Sequence, residues 1–178
     1  MRQLTMMLSF LIAFSVSLFA QSDERHAMTN SSVTINAVDY RKSRSIDKVK
    51  DGSREFIIGK KSVYNLAGSK DPSKLLQPYA EYIVKSKWAG GTFKVTVTYK
   101  IDKDERKENA NKTRKVRIGL DENSPMEIEL KNSSSGYLKA SSEFKINFLR
   151  GKNHTVKVWL PSKGVMIDKV EMRRIYFK

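Results

Sequence analysis

Phe93, Val95, Val97 and Tyr99 alternate with Lys94, Thr96 and Thr98. A period of two turns one set of side chains to a core and the other to water, which is the pattern of a half-buried strand. The same alternation recurs at Val116, Ile118 and Leu120, at Met126, Ile128 and Leu130, at Phe144, Ile146 and Phe148, and at Val156, Val158 and Leu160. Valine, isoleucine, threonine and aromatic residues fill these runs, as pleated strands favour. Turn-forming groups separate them: Asp51-Gly52, Ala89-Gly90-Gly91, and residues 121–125, 150–153 and 161–164. No segment after residue 20 keeps a helical period. Many short strands at this spacing predict an all-β fold, an antiparallel sandwich of the jelly-roll kind whose two inner faces are apolar.

The first 20 residues do not belong to that pattern. Arg2 opens them, the stretch from Met6 to Ala20 is apolar apart from serines, and polar Gln21-Ser22-Asp23-Glu24 follows. This is the order of an export signal with a cut after a small residue. The competing reading, a membrane anchor, needs an apolar run of about 20 residues, and this one is shorter. The division expected is therefore a signal peptide over 1–20, a polar leader over 21–31 and one β-sandwich domain over 32–178, secreted or periplasmic. There is no cysteine. The domain must hold itself together by packing rather than by disulfides, and a lipid anchor on cysteine is excluded at the cut. Four Asn-X-Ser/Thr sequons begin at Asn30, Asn111, Asn132 and Asn153. They would carry glycans only in a eukaryotic secretory pathway.

Thirty-four lysines and arginines against 19 acids give a formal charge of +15, or +14 once the charge of Arg2 is removed. A basic surface favours polyanions such as acidic polysaccharide or a phosphate-rich membrane surface, and export argues against nucleic acid. A lysine-rich, well-solvated surface with no specific partner explains the same charge. Two polar stretches read as loops. Residues 101–115 form a charged, solvated tip between strands, and residues 60–78 form a longer connection of the kind that is functional or partly structured.

Catalytic chemistry finds little purchase. The two histidines, His26 and His154, lack the partners of a zinc site or a nucleophilic triad. Glu55, Glu81, Asp121, Glu127, Glu129 and Asp168 are the available acids, but Glu127 and Glu129 share one strand face and read as a solvated edge beside lysines. The aromatics say more. Tyr64 and Tyr137 fall in stretches rich in serine, glycine or asparagine, where a ring either stacks on a ligand or covers a sheet edge. Trp159 stands on the polar side of its strand, exposed or covered by a loop. Trp88 precedes Ala89-Gly90-Gly91 and packs under that turn in the simplest reading.

The order of motifs resembles carbohydrate-binding modules of families 6 and 35. Residues 34–40, Thr-Ile-Asn-Ala-Val-Asp-Tyr, resemble an opening strand that often reads I-E-A-E-D-Y. Residues 79–84 look like the D-W-V-E-Y strand, and residues 89–99 like the A-G-T-Y turn and strand that follow. Residues 116–121 resemble the strand before the next turn. Ser135-Gly136-Tyr137 stands where the family has T-G-G-W, residues 148–158 resemble L-x-x-G-x-N-x-I-x-L, and residues 164–170 resemble G-F-N-L-D-K-I. The resemblance covers residues 33–178. It implies a galactose-binding-like jelly roll that binds glycans without cleaving them.

The departures bear on the site. The resemblance implies a structural calcium held by two opening glutamates and a late aspartate, but those glutamate positions are Asn36 and Val38 here. Asp168 remains, with Asp39 as a displaced ligand, and six to eight oxygens are then hard to assemble. A weak or lost calcium site is expected, and no other cofactor. The family asparagine that bonds sugar hydroxyls falls at Met166, and the loop tryptophan becomes Tyr137, which still stacks. On this reading Tyr64 and Tyr137 stack on the ligand, and Lys60, Lys61 and Lys139 meet its carboxylates or sulfates. Alternatives stay open: a structural or adhesion protein that contacts a partner protein on the cell surface, a polyanion binder acting by charge alone, and, with least support, a small polysaccharide hydrolase or lyase.

Overall fold

The computed structural model describes residues 32–60, 77–87, 89–102, 105, 113–132, 136–161 and 164–175. The export signal and leader, Lys61, Tyr64 and Trp88 lie outside the described residues. Eleven strands are present among the described residues: β1 (Ser32–Asn36), β2 (Lys42–Arg44), β3 (Ile46–Asp51), β4 (Arg54–Gly59), β5 (Tyr79–Lys85), β6 (Gly91–Ile101), β7 (Arg114–Leu120), β8 (Met126–Leu130), β9 (Leu138–Ile146), β10 (Asn153–Trp159) and β11 (Val165–Arg174). They form two antiparallel sheets. One runs β3-β4-β11-β6-β9, with β1 also paired to β11, and the other runs β2-β5-β10-β7-β8.

The alternation read from the sequence is what joins the two sheets. Phe93, Val95, Val97 and Tyr99 of β6, with Ile167, Val170 and Met172 of β11, are buried in one core with Tyr82, Val84, Ile118, Val156 and Val158 of the opposite sheet. The intervening residues of each strand face outward. Tyr82 is buried, and its hydroxyl donates to the Ala37 carbonyl at 2.7 Å, so the polar tip of the ring is satisfied inside.

One irregularity shapes the outer surface. β6 pairs with the full length of β11, but the register shifts between Ile167 and Lys169, which leaves Asp168 as the extra residue of a bulge. The other edge of β11 is shared. β4 pairs at Ile167, and β1 takes over from Lys169 onward, with the Ala37 amide bonded to the Asp168 carbonyl at 2.8 Å.

At Glu105 the charged stretch between β6 and β7 departs from the solvated tip expected. Glu105 is buried, and the guanidinium of Arg114, also buried, donates to its carbonyl at 3.1 Å. Carbons of the Glu105 side chain lie where a Cβ on Gly164 would stand, so this part of the connection folds back against the turn before β11. Among the described residues no helix is long and apolar enough to cross a membrane.

Candidate functional site

Tyr137 sits one residue before β9 and is 43% exposed, one of two large apolar side chains so open among the described residues. Its support comes from β4. Ile57 points into the core, so Phe56 just before it, and Arg54 two residues earlier on the strand, share the opposite, outward face. Phe56 is fully buried there, with the Tyr137 ring parallel to it at 5.8 Å between centroids and 3° between planes. The guanidinium carbon of Arg54 lies 4.2 Å from the Tyr137 ring centre and the Lys100 ammonium 5.7 Å from it. The Tyr137 hydroxyl donates to Asp51 Oδ2 at 3.4 Å, and Lys100 donates to the same oxygen. The bond from Lys100 holds the Asp51 carboxyl below its usual range, ahead of any opposing effect of burial. Asp51 and Arg54 are paired across the tight β3–β4 turn, where Gly52 takes a φ of +62°.

The other residues singled out from the sequence lie as follows. Lys139 is exposed on β9 two residues beyond Tyr137, paired in register with Thr98. Lys60 follows β4 at its far end, 3.5 Å from Asp47 Oδ1. Six residues separate it from Arg54, which sets it roughly 20 Å away along the strand. The structure therefore brings Lys139 to the side of Tyr137 and leaves Lys60 apart. Met166 pairs with Lys100 across the outward face.

The residues implied for calcium do not fit that ion. Asp168 Oδ2 lies 3.4 Å from Arg54 Nη1, so an internal cation already faces the carboxylate. Asn36 Nδ2 donates to Asp39 Oδ2 at 3.1 Å. An open cavity of about 360 Å³ is lined by Asn36, Val38, Lys50, Glu55 and Asp168 among others, and Glu55 is met by Lys50 at 3.2 Å. Each of its two carboxylates thus has a cation beside it. Among the described residues no group of three or more acids, histidines or cysteines is arranged to hold a metal. Calcium requires several anionic oxygens at once, and this pocket offers two that are already neutralised.

A second cluster lies on the opposite side of the sandwich and was not assembled by the sequence reading. Arg44, Tyr79, Trp159, Arg117 and Glu127 stand in register across β2, β5, β10, β7 and β8. The next row reads Lys42, Glu81, Lys157 and Gly119. The Lys157 ammonium lies 3.9 Å from the centre of the Tyr79 ring and 5.5 Å from that of Trp159. Arg44 lies over Tyr79 at 5.1 Å and Arg117 over Trp159 at 5.6 Å. Both arginines also bond Gln77, Arg44 to its carbonyl and Arg117 to its side-chain oxygen. The sequence did carry one signal, since Tyr79, Lys157, Trp159 and Arg117 all fall on the polar phase of their strands. Which of them become neighbours depends on register between strands far apart in the chain.

No protein-family model and no curated protein matches the chain. Solved structures do. The C-terminal family 6 carbohydrate-binding module of a marine laminarinase from Zobellia galactanivorans superposes with a TM-score of 0.56 at 11% identity, over 80% of this chain and 99% of that one. A family 35 carbohydrate-binding module from Clostridium thermocellum gives 0.54 at 13% identity, over 82% and 99%. A Podospora anserina β-(1,4)-mannanase that contains a family 35 module gives 0.56 at 12% identity, over 84% of this chain but only 29% of the enzyme. The chain therefore spans less than a third of that enzyme and essentially the full length of the separate modules. At these identities the likeness is one of architecture, and the architecture is the antiparallel β-sandwich of the family 6 and family 35 carbohydrate-binding modules.

Proposed function

We propose that the chain is an exported, non-catalytic domain that binds a glycan carrying carboxylate or sulfate groups, on the face around Tyr137. One observation carries this reading: a half-exposed tyrosine is stacked on a buried, parallel phenylalanine, with the Arg54 guanidinium over its ring and Lys100 near it. A ring fixed by these contacts presents its exposed edge and the cations around it to the acidic groups of a sugar. Lys139, on the same side, extends the cationic border. Lys60 is too far along β4 to share this contact, and Lys61 and Tyr64 lie outside the described residues. The shared architecture of the two separate modules supports a binding role rather than a catalytic one. The formal charge of +15 supports an acidic ligand. The test is a glycan-array screen of residues 21–178 at low and high salt. Binding to a defined glycan that survives high salt and disappears in Tyr137→Ala is expected. Binding that ignores sugar identity and vanishes with salt would move the function to charge alone.

A further inference from the structure

Strand β9 ends the six-stranded sheet on one side. It pairs with β6 from Ile146 opposite Gly91 to Leu138 opposite Tyr99 without a shift of register. Among the described residues no strand pairs with its other side. Leu138–Ile146 holds neither a proline nor a bulge, so it presents a straight row of backbone amides and carbonyls to a further strand. Native edges are often guarded by charge. A strand that pairs antiparallel with a second copy of itself opposes residues an even number of positions apart, because only then do the outward backbone groups of both copies meet. In β2 every such register sets Lys42 and Arg44 against themselves or each other. Every such register of more than one residue opposes Glu127 and Glu129 in the same way in β8. In β3 it sets Asp47 against itself, Lys48 against itself or Lys50, or Lys50 against itself. Of the four strands that end the two sheet paths, β9 alone has registers free of like charges. Strand β1, off those paths, is uncharged and sets no register by charge.

We propose that β9 is the interface of a homodimer, in which it pairs antiparallel with β9 of a second copy about a two-fold axis at Ser141. The six-stranded sheet then runs on from one copy into the next. Lys139 stands opposite the second copy's Glu143, and Glu143 opposite the second copy's Lys139, all on the exposed face of the strand. On the other face Leu138 stands opposite Phe144 twice, and both are partly buried against the core. The pairing covers Leu138–Phe144. An axis at Ser142 would use the whole strand but sets Lys139 against Lys145 twice, and an axis at Glu143 sets that acid against itself. An axis at Phe144 also matches lysine to glutamate, but over residues 142–146 only. Within one copy Lys139 faces Thr98 on β6 and Glu143 faces Lys94, and no ion pair to another described residue occupies either of them. Side chains directly opposite lie about 5 Å apart. That is inside the screening length of about 8 Å at physiological salt, which damps the longer-range repulsion between two basic chains. The pairing does not depend on what the Tyr137 face binds, but it sets that face twice on one continuous sheet.

The test is sedimentation velocity of residues 21–178 in about 0.15 M salt, over concentrations up to about 1 mM. The dimer fraction should rise with concentration. Lys139→Glu and Glu143→Lys are exposed changes, and each sets like charges opposite one another at both contacts. Each should weaken association about tenfold. An equal mixture of the two variants regains both ion pairs in the heterodimer and should associate as the parent does. The position of the axis is read separately. The described residues hold no cysteine, nor does the sequence, so Ser141→Cys adds one thiol per chain. Opposed residues of an antiparallel pair have Cα atoms about 4.5–5.5 Å apart, within disulfide reach. Mild oxidation should therefore link two copies through Ser141→Cys, and should leave Lys145→Cys, on the same exposed face, unlinked. A parent that stays monomeric throughout, association untouched by either charge variant, a mixture that fails to associate, or linking of Lys145→Cys as fast as Ser141→Cys would each overturn the proposal. Cover of β9 by another segment of its own chain would give the first of these results.

Discussion

The six-membered ring of Trp159 on β10 lies against the backbone of Gly119 on β7, so close that a Cβ there would meet Cη2 and Cζ3 at 2.9 Å. A glycine inside a strand usually weakens it, because it contributes entropy to the unfolded chain and nothing to packing. Here the missing side chain is what lets the indole lie flat beside Arg117. Gly119→Ala should tilt the ring outward and cost about 1–3 kcal/mol, the range for inserting a methyl into an occupied space. Tryptophan emission should shift to longer wavelength. An unchanged emission maximum with unchanged stability would mean that the ring has room to spare.

Arg54 is the positive partner of Asp168. The bulge at Asp168 lies where β11 passes from β4 to β1, and one carboxylate there is balanced by one guanidinium at 3.4 Å. Thermal unfolding of the domain should therefore have the same midpoint in millimolar calcium and in a chelator. Arg54→Gln should lower stability by less than about 1 kcal/mol, because the arginine side chain is 50% exposed and its ion pair is screened by solvent. A midpoint that rises with calcium in the unmodified chain would show that other oxygens complete a site.

How much of this was legible in the chain follows from where apolar residues can alternate. β6, β7, β8 and β10 each bury one face and show it as a period of two. β4 does not, because Phe56 and Ile57 are both fully buried, one under Tyr137 and one in the core. That run of adjacent apolar residues hid the floor beneath the tyrosine. β2 is exposed throughout, and β3 buries only Ile46, so these edge strands left no apolar stripe to read. β9 was visible only from Phe144, because the inward positions between Leu138 and Phe144 are Ala140 and Ser142, too small to mark a face. Tyr137 was legible as an aromatic in a polar loop. The Tyr79–Trp159 pair was not, since 80 residues separate the two and only strand register joins them.

His154 joins two turns at one end of the sandwich. Its Nδ1 lies 2.8 Å from Asp121 Oδ2, and its Nε2 accepts the Leu149 amide at 3.0 Å. The neutral ring therefore carries its proton on Nδ1. Asp121 also accepts the Thr155 amide through Oδ1 at 2.8 Å, which helps hold its unusual φ of +51°. The ring packs edge-on against Phe148. His154→Phe keeps the volume and removes both bonds, leaving the Leu149 amide without its acceptor. Denaturant unfolding should show a loss of about 1 kcal/mol, the worth of a hydrogen bond at a part-buried donor. A loss confined to the few tenths of a ring-packing change would show that water replaces the histidine.

Alkaline pH should unfold the domain through its buried tyrosines. Burial pushes the hydroxyls of Tyr82 and Tyr99 above the ordinary tyrosine value of about 10, the former strongly. A group whose pKa is raised on folding stabilises the fold fully below its unfolded value. That stability is lost as pH climbs past it, because the unfolded chain ionises first. Stability should thus be flat up to about pH 10 and then fall by about 1.4 kcal/mol per pH unit through Tyr82, with Tyr99 acting in the same direction. Tyr82→Phe separates the two effects. At neutral pH it should cost about 1–2 kcal/mol by leaving the Ala37 carbonyl without its donor. Above pH 10 the same variant should lose stability less steeply than the parent, so the two curves converge. Parallel curves would mean that Tyr82 ionises as freely in the folded domain as in the unfolded chain, and that water reaches its hydroxyl.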